Sequence, residues 1–173
     1  KNTTAIKYFI LRLMRNITKP TSINKIYHEL KSVGVIVSKN TLYELTDYLE
    51  AIYFFMPVSK YDASLVRQLN SEKKYYCIDN GFRKALSQTV SDDFGILLEN
   101  AVFLWLRGQC DMNQKIHYYK GSKECDFVVT RGNKVEKLIQ VAWDISEPST
   151  LKREIDGLME ASKQLKCINL YII

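Results

Sequence analysis

The sequence predicts a mixed fold of helices and strands, α/β in class and α+β over its whole length, divided into two modules. Apolar residues at helical spacing dominate residues 1–90, whereas strand-like runs joined by tight turns dominate residues 91–173. Charge separates the same two stretches: the first holds 14 Lys and Arg against 7 Asp and Glu, and the second holds 11 against 12. We therefore predict two domains with these bounds, the first basic enough to meet a polyanion.

Composition limits the classes of function. With 46% hydrophobic and 25% charged residues, the 173-residue chain is typical of a globular protein. No apolar run approaches the roughly 20 residues that span a bilayer, so we expect no membrane partner and a cytoplasmic protein. The four cysteines lack metal-binding spacing, and reduced thiols fit that compartment. Because the chain begins with Lys1, we expect it to be part of a longer protein.

Three short helices and two strands are predicted in the first domain. Apolar residues recur at helical spacing in residues 3–16, in residues 22–33, and again after Ser38, which is a favourable N-cap. Strand-like runs follow at residues 53–58 and 73–79. The predicted order is therefore three short helices followed by a hairpin.

This order resembles a winged helix-turn-helix, with residues 39–51 in the position of the recognition helix. That helix carries three acids against one lysine, which opposes binding to phosphates. If the module binds DNA, we expect the wing and the first helices to contact it, and the candidate residues around the wing are Lys60, Arg67, Lys73 and Lys74. A protein-binding winged helix and a helical packing unit without a partner are the alternatives.

The second domain is predicted to contain a helix, three strands, a second helix and a last strand, at residues 94–109, 115–120, 124–130, 135–145, 149–165 and 167–173. This αβββαβ order with a mixed sheet resembles the PD-(D/E)XK, or restriction-endonuclease-like, superfamily. The resemblance implies a glutamate on the first helix, an aspartate on the second strand and an acid-x-lysine pair on the third. Glu99, Asp126 and Gln140 occupy the first three of these positions.

The resemblance also implies a site for Mg²⁺ or Mn²⁺, which would activate water for phosphodiester hydrolysis. The predicted metal ligands are Glu99, Glu124, Asp126 and Gln140, and the predicted catalytic residues are Glu99, Asp126, Gln140 and Lys123. The chain departs from the pattern because Gln140 is uncharged and Ala142 replaces the lysine. Lys123 or Lys152 is the candidate substitute for that lysine. The alternative is a degenerate nuclease fold, whose acids are held by hydrogen bonds or by cations.

Four stretches extend the resemblance to the C-terminal region of a prokaryotic family of predicted AAA-type P-loop ATPases: KKYYCIDNGF (73–82), GILLENAVFLWL (95–106), HYYKGSKECDFVV (117–129) and LIQVAWDI (138–145). In that family an ATPase domain precedes a winged helix and a restriction-endonuclease-like domain of unknown function. The resemblance implies that a glutamine at position 140 is ordinary there. It also implies that the ATPase domain is a partner missing from this fragment.

The sequence has no GxxxxGK[ST] motif, so we expect this fragment to bind no nucleotide. Three functions remain open. The first is recognition of DNA or of a protein partner on behalf of the ATPase. The second is metal-dependent cleavage of DNA, and the third is a scaffold for protein interaction or oligomerisation.

Overall fold

The computed structural model of the protein describes residues 3–86 and 93–173. Its elements are α1 (Thr3–Arg15), α2 (Ile23–Ser32), α3 (Lys39–Ala51), β1 (Phe55–Ser59), α4 (Leu65–Asn70), β2 (Lys73–Cys77), α5 (Asn80–Leu86), α6 (Phe94–Gln109), β3 (Gln114–Lys120), β4 (Glu124–Arg131), β5 (Lys134–Gln140), α7 (Pro148–Leu165) and β6 (Leu170–Ile172). The chain forms two compact units, one from residues 1–57 and 72–92, the other from residues 58–71 and 93–173. The predicted boundary between residues 90 and 91 lies outside the described residues.

The first unit contains helices α1, α2 and α3, which bury their apolar faces in one core. The Ser22 and Ser38 hydroxyls accept hydrogen bonds from the backbone N–H groups of Lys25 and Thr41, so serine caps begin α2 and α3, the Ser38 cap as the sequence predicted. The buried residues include Phe9, Leu13, Met14, Ile26, Leu30 and Leu42. Strands β1 and β2 form a two-stranded sheet, and β2 also bridges the loop before α2 at Thr21.

The second unit contains a four-stranded mixed sheet in the order β3-β4-β5-β6. The β3–β4 and β4–β5 pairs are antiparallel, whereas β6 runs parallel to β5. Strand β4 lies in the middle of the sheet and is buried from Cys125 to Thr130, which explains its nearly continuous apolar sequence. The predicted mixed α/β class and mixed sheet are confirmed.

Helices cover both faces of this sheet. On one face, α7 packs against a cluster that includes Cys125, Val128 and Leu138. Gly157 allows α7 to approach the sheet closely, because a Cβ at this position would overlap the carbonyl oxygen of Glu124. On the other face α6 is held by buried aromatic packing, with the rings of Phe103 and Phe127 stacked at 6.3 Å between centroids.

Residues 58–71, which contain α4, lie beside strand β3. The Tyr61 N–H donates to the Tyr118 carbonyl at 2.7 Å, and Lys60 forms a parallel bridge to the same residue. Strand β3 therefore has a backbone partner on both of its edges at this point. The segment caps part of the sheet that would otherwise be open.

Several boundaries differ from those that the sequence predicts. Strand β5 ends at Gln140 rather than at residue 145, and β6 covers Leu170–Ile172 instead of residues 167–173. Helices α4 and α5 were not predicted, because six and seven residues are too few to show a helical period. In the part of the chain that the structure describes, no helix combines the length and the apolarity that crossing a bilayer requires.

Candidate functional site

Asp126 and Gln140, two of the predicted site residues, lie side by side in the sheet. Phe127 pairs with Ile139 in the antiparallel β4–β5 register, which brings the preceding residue of β4 opposite the following residue of β5. The side-chain oxygen of Gln140 accepts a hydrogen bond from the Asp126 N–H at 3.3 Å. The Asp126 carboxylate in turn accepts one from the Val141 N–H at 3.0 Å. Both side chains are buried, so these bonds replace lost hydration.

A second carboxylate, that of Glu154 on α7, completes this group. The Gln140 side-chain N–H donates to it at 2.6 Å, and the Arg153 guanidinium donates to its other oxygen at 2.5 and 3.0 Å. Glu154 is itself buried. The Gln140 amide therefore separates two buried acids, and a carboxylate at position 140 would add a third negative charge between them.

Sequence reasoning missed Glu154, although a signal for it exists. Leu151, Glu154, Leu158 and Ala161 recur at helical spacing, so an acid lies on the apolar stripe of α7. A charged residue on such a stripe needs a polar partner inside the protein. Gln140 and Arg153 provide the partners for Glu154.

The other predicted metal and catalytic residues have different surroundings. Glu124 lies 3.8 Å from the Lys120 ammonium, and Lys123 forms an ion pair with Asp156 at 3.1 Å. Glu99 is half-buried on α6. Lys152 is exposed on α7. Among residues 3–86 and 93–173, no group of three or more His, Cys, Asp and Glu side chains is arranged to hold a metal ion. The predicted Mg²⁺ or Mn²⁺ site stays a prediction.

The four predicted nucleic-acid residues fall in two units. Lys60 and Arg67 belong to the second unit, and Arg67 is paired with the Asp62 carboxylate at 2.9 Å. Lys73 and Lys74 belong to the first. Lys74 is only 1% exposed, so its ammonium offers no surface to a phosphate, and we remove it from the predicted interface.

Helix α3 presents an acidic and aromatic surface. Three exposed carboxylates follow each other at three-residue spacing, at Glu44, Asp47 and Glu50. Residues at this spacing are neighbours on a helix, and like charges there repel. Exposed Tyr43 and Tyr48 flank the carboxylates. We call these five residues the α3 face.

His117, on β3, is a buried histidine beside a cavity of about 410 Å³. Burial lowers the pKa of its imidazole, and the charge of Lys115 lowers it further. The Tyr61 ring contacts the imidazole edge-on, with centroids 5.8 Å apart. No hydrogen-bond partner reaches Nδ1. A hydrogen bond with the Ser59 backbone opposes this lowering of the pKa.

Comparisons with known proteins give relatives over nearly the whole chain. A family profile described as "Domain of unknown function (DUF8612)" matches residues 1–93. An uncharacterized protein of Haemophilus influenzae is 30% identical over 170 residues, which cover 97% of this chain and 40% of the relative. An uncharacterized protein of Methanocaldococcus jannaschii is 32% identical over 172 residues, which cover 94% of this chain and 37% of the relative. The chain thus spans about two-fifths of the length of these relatives. No solved structure matches.

Proposed function

We propose that this chain, which belongs to the family of the domain of unknown function DUF8612, is a non-catalytic recognition region. In this role it binds a protein partner for an AAA-type ATPase. The relatives are more than twice as long as the aligned region, which leaves room for such an ATPase domain. In this proposal the first unit supplies the partner-binding surface, and the mixed-sheet unit has a structural role.

The element order of the first unit supports a winged helix-turn-helix. Helices α1, α2 and α3 precede the β1–β2 sheet, and Thr21 bridges β2 as a short extra strand would. In this arrangement α3 takes the place of the recognition helix. The surface of α3 therefore decides what the unit would recognise.

The charge of the α3 face carries the proposal. A helix that enters a DNA groove needs positive or neutral side chains, because phosphates dominate the affinity. The α3 face offers three carboxylates, and no ion-pair partner for them lies within the described residues. Flanking tyrosines add large amphipathic contact surfaces, which are typical of protein interfaces. The partner is accordingly a protein surface with basic residues.

The hydrogen bonds of Gln140 support a non-catalytic role for the second unit. A PD-(D/E)XK core suits the order α6, β3, β4, β5, α7 and β6. In such a core the third strand would present an acid and a lysine to a metal ion. Here the Gln140 amide joins Asp126 to Glu154, and Ala142 carries only a methyl group. The polar residues at this position then stabilise the sheet against α7 instead of performing chemistry.

Two experiments test the proposal. In fluorescence anisotropy with a short DNA duplex, we expect no saturable binding at about 50 mM salt, where phosphate contacts are strong. DNA binding that weakens steeply with salt and is lost on Arg67→Ala would overturn the choice of a protein partner.

The second experiment uses a photo-crosslinking amino acid at Tyr48 in the full-length protein, expressed in its own host. We expect crosslinks to a polypeptide, identified by mass spectrometry, and their loss on Glu44→Lys with Glu50→Lys. The same amino acid at His28, an exposed position of α2, is the control and should give no such crosslink. Crosslinks to nucleic acid alone, or equal crosslinks from both positions, would contradict the proposal.

A metal-dependent DNA nuclease is the second candidate, favoured by the closeness of Asp126 and Glu154 to the same amide. Glu99 and Lys123 would complete its site, with Mg²⁺ or Mn²⁺ held by carboxylate oxygens. Cleavage of a supercoiled plasmid that requires either ion and disappears on Asp126→Asn would establish this function. It would also refute the non-catalytic role.

A further inference from the structure

The two edges of the mixed sheet differ in how they are protected. Strand β3 carries a register irregularity between His117 and Tyr119, has lysines near both ends, and is covered by the backbone at Tyr61. These are devices by which proteins keep a sheet edge from pairing with another chain. Strand β6 has none of them within the described residues: it is Leu170, Tyr171 and Ile172, without charge, proline or irregularity.

The backbone of β6 has hydrogen-bonding groups that point away from the sheet. The Asn169 carbonyl and the Ile173 N–H bond to β5, at 2.9 and 3.0 Å, and the Ile173 carbonyl accepts from the Ala142 N–H just after β5, at 2.8 Å. Successive residues of a strand turn their N–H and C=O groups to opposite edges. The N–H and C=O groups of Leu170 and Ile172 therefore face outward, where the part of the chain that the structure describes places no further strand.

Large apolar side chains lie beside this edge. Tyr171 and Ile173 share the face of the sheet that α6 covers, and Ile173 lines an apolar cavity of about 330 Å³ with Ala101 and Trp105. Trp105 is 58% exposed, and Tyr171 and Ile173 are nearly half exposed. An open strand with exposed aromatic and aliphatic residues beside it is a surface that another strand and its apolar residues would cover.

We propose that β6 and the neighbouring α6 surface form a two-fold interface between two copies of this chain. A strand edge is complementary to itself when a second copy runs antiparallel, and the absence of charge on β6 removes like-charge repulsion across the axis. Tyr171 lies on the axis and faces its own copy. Leu170 of each copy pairs with Ile172 of the other. These two pairs give four backbone hydrogen bonds and join the two sheets into one continuous eight-stranded sheet.

The oligomeric state of the chain tests this interface. Sedimentation and light scattering should show a change with concentration from the 20.1 kDa monomer to twice that mass. We expect a dissociation constant of roughly 1–100 µM, because the strand and Trp105 cover less than the standard ~800 Å² per partner. The sequence has two tryptophans, so a blue shift of their emission with concentration should follow the burial of Trp105.

Charge exchange at the axis separates a specific interface from a folding defect. Tyr171→Lys alone and Tyr171→Glu alone should be monomers, because each places like charges opposite each other. An equal mixture of the two should recover the dimer, which an unfolded chain could not do. Met112→Lys, at a fully exposed position on the α6–β3 connection, is the control and should leave the dimer unchanged.

Ile172→Pro provides an independent variant. It removes an outward N–H group while the bonds from β6 to β5 use other residues, so it should weaken dimerisation at least tenfold and keep the sheet folded. A chain that stays monomeric at about 100 µM, far above the concentrations at which specific interfaces of this size form, would overturn the proposal. A dimer that persists in Tyr171→Lys would overturn it as well, since another surface would then be responsible.

Discussion

Gln140 illustrates how one amide can satisfy groups that a charged side chain could not. Its oxygen accepts from the Asp126 N–H and its nitrogen donates to Glu154. An amide carries a donor and an acceptor on one planar group, whereas a carboxylate has only acceptors. The residue that departs from the catalytic motif is thus the one that fits between a backbone donor and a buried acid.

Removal of this amide should destabilise the protein. Gln140→Leu removes the acceptor of the Asp126 N–H bond and one donor to the Glu154 carboxylate, and we expect a loss of about 2–5 kcal/mol in the free energy of unfolding. Gln140→Glu should cost less at pH 5 than at pH 8, because only a protonated carboxyl can donate to Glu154. Urea denaturation at the two pH values measures both effects. Equal costs for Gln140→Glu at both would show that position 140 does not face an acid.

Gly157 sets the distance between α7 and the sheet. We expect Gly157→Ala to lower the free energy of unfolding by about 1–3 kcal/mol, since the new methyl group overlaps the Glu124 carbonyl and the helix must shift. Gly108→Ala in α6 is the matched control, because nothing lies within 4 Å of the added atom. That variant should be neutral or more stable by up to about 1 kcal/mol. Equal stabilities for both variants would contradict the close packing of α7.

His117 predicts a dependence of stability on pH. Burial lowers the pKa of its imidazole in the folded protein below the value of 6.5 for an unfolded chain. The unfolded state therefore binds the proton more readily, so this contribution to stability is complete above pH 6.5 and is lost as the pH falls through the folded pKa. Thermal unfolding between pH 5 and pH 8 should show this loss.

The variant His117→Gln should remove the dependence on pH, whereas His28→Gln at the exposed histidine of α2 should preserve it. Equal pH profiles for the wild type and His117→Gln would contradict the assignment to His117. Since the sequence contains two histidines, these two variants account for every imidazole in the chain.

At the scale of elements, α1 and α2 are joined by an ion pair with two bonds. The Arg12 guanidinium donates to both oxygens of the Glu29 carboxylate, at 2.8 and 3.0 Å. Tyr8 adds a weaker contact at 3.4 Å. The Arg12 hydrogen bonds lower the pKa of Glu29 below 4.5 and raise that of Arg12. Both side chains are 27% exposed, which limits screening by water.

A double-mutant cycle with Arg12→Ala and Glu29→Ala should give a coupling energy of about 1 kcal/mol. Because the folded pKa of Glu29 is lowered, the contribution is present above about pH 4.5 and is lost as the pH falls through the folded pKa. Chemical denaturation at pH 7 and pH 3 provides the comparison. A coupling energy that stays the same at pH 3 would exclude the ion pair as its source.

The helices that the sequence predicted are long enough to show an apolar stripe, or they begin at a residue that favours a helix start. Helices α1, α2, α3, α6 and α7 have at least ten residues, with apolar stripes or serine, aspartate or proline starts. The end of β5 was missed because Trp143 and Ile145 continue an apolar pattern beyond the strand, although both are exposed. Apolar character predicts burial only where a neighbouring element exists to cover it.

The candidate site was partly predictable for a related reason. Asp126 and Gln140 are on adjacent strands joined by a short turn, so strand register brings them together. Glu154 comes from α7, and its position depends on how that helix packs on the sheet. Pairing across a short turn is encoded locally, whereas the position of a helix over a sheet depends on the whole set of packed side chains.

At the scale of the whole molecule, residues 58–71 should be needed by the second unit. A fragment of residues 93–173 alone lacks the Tyr61 N–H that bonds to β3 and the ring that covers His117. We expect this fragment to be less stable than the whole chain and to aggregate through its exposed edge. Addition of a synthetic peptide of residues 58–71 should restore thermal stability. A fragment as stable as the whole chain would show that the segment is dispensable.

The path of the chain through its two units has a consequence for recombination between relatives. The chain passes from one unit to the other three times, after residues 57, 71 and 92. A crossover near residue 93, where the family profile ends, would transfer residues 58–71 from one parent onto a sheet from the other. Chimeras that inherit residues 58–71 and 93–173 from the same parent should therefore be the viable ones.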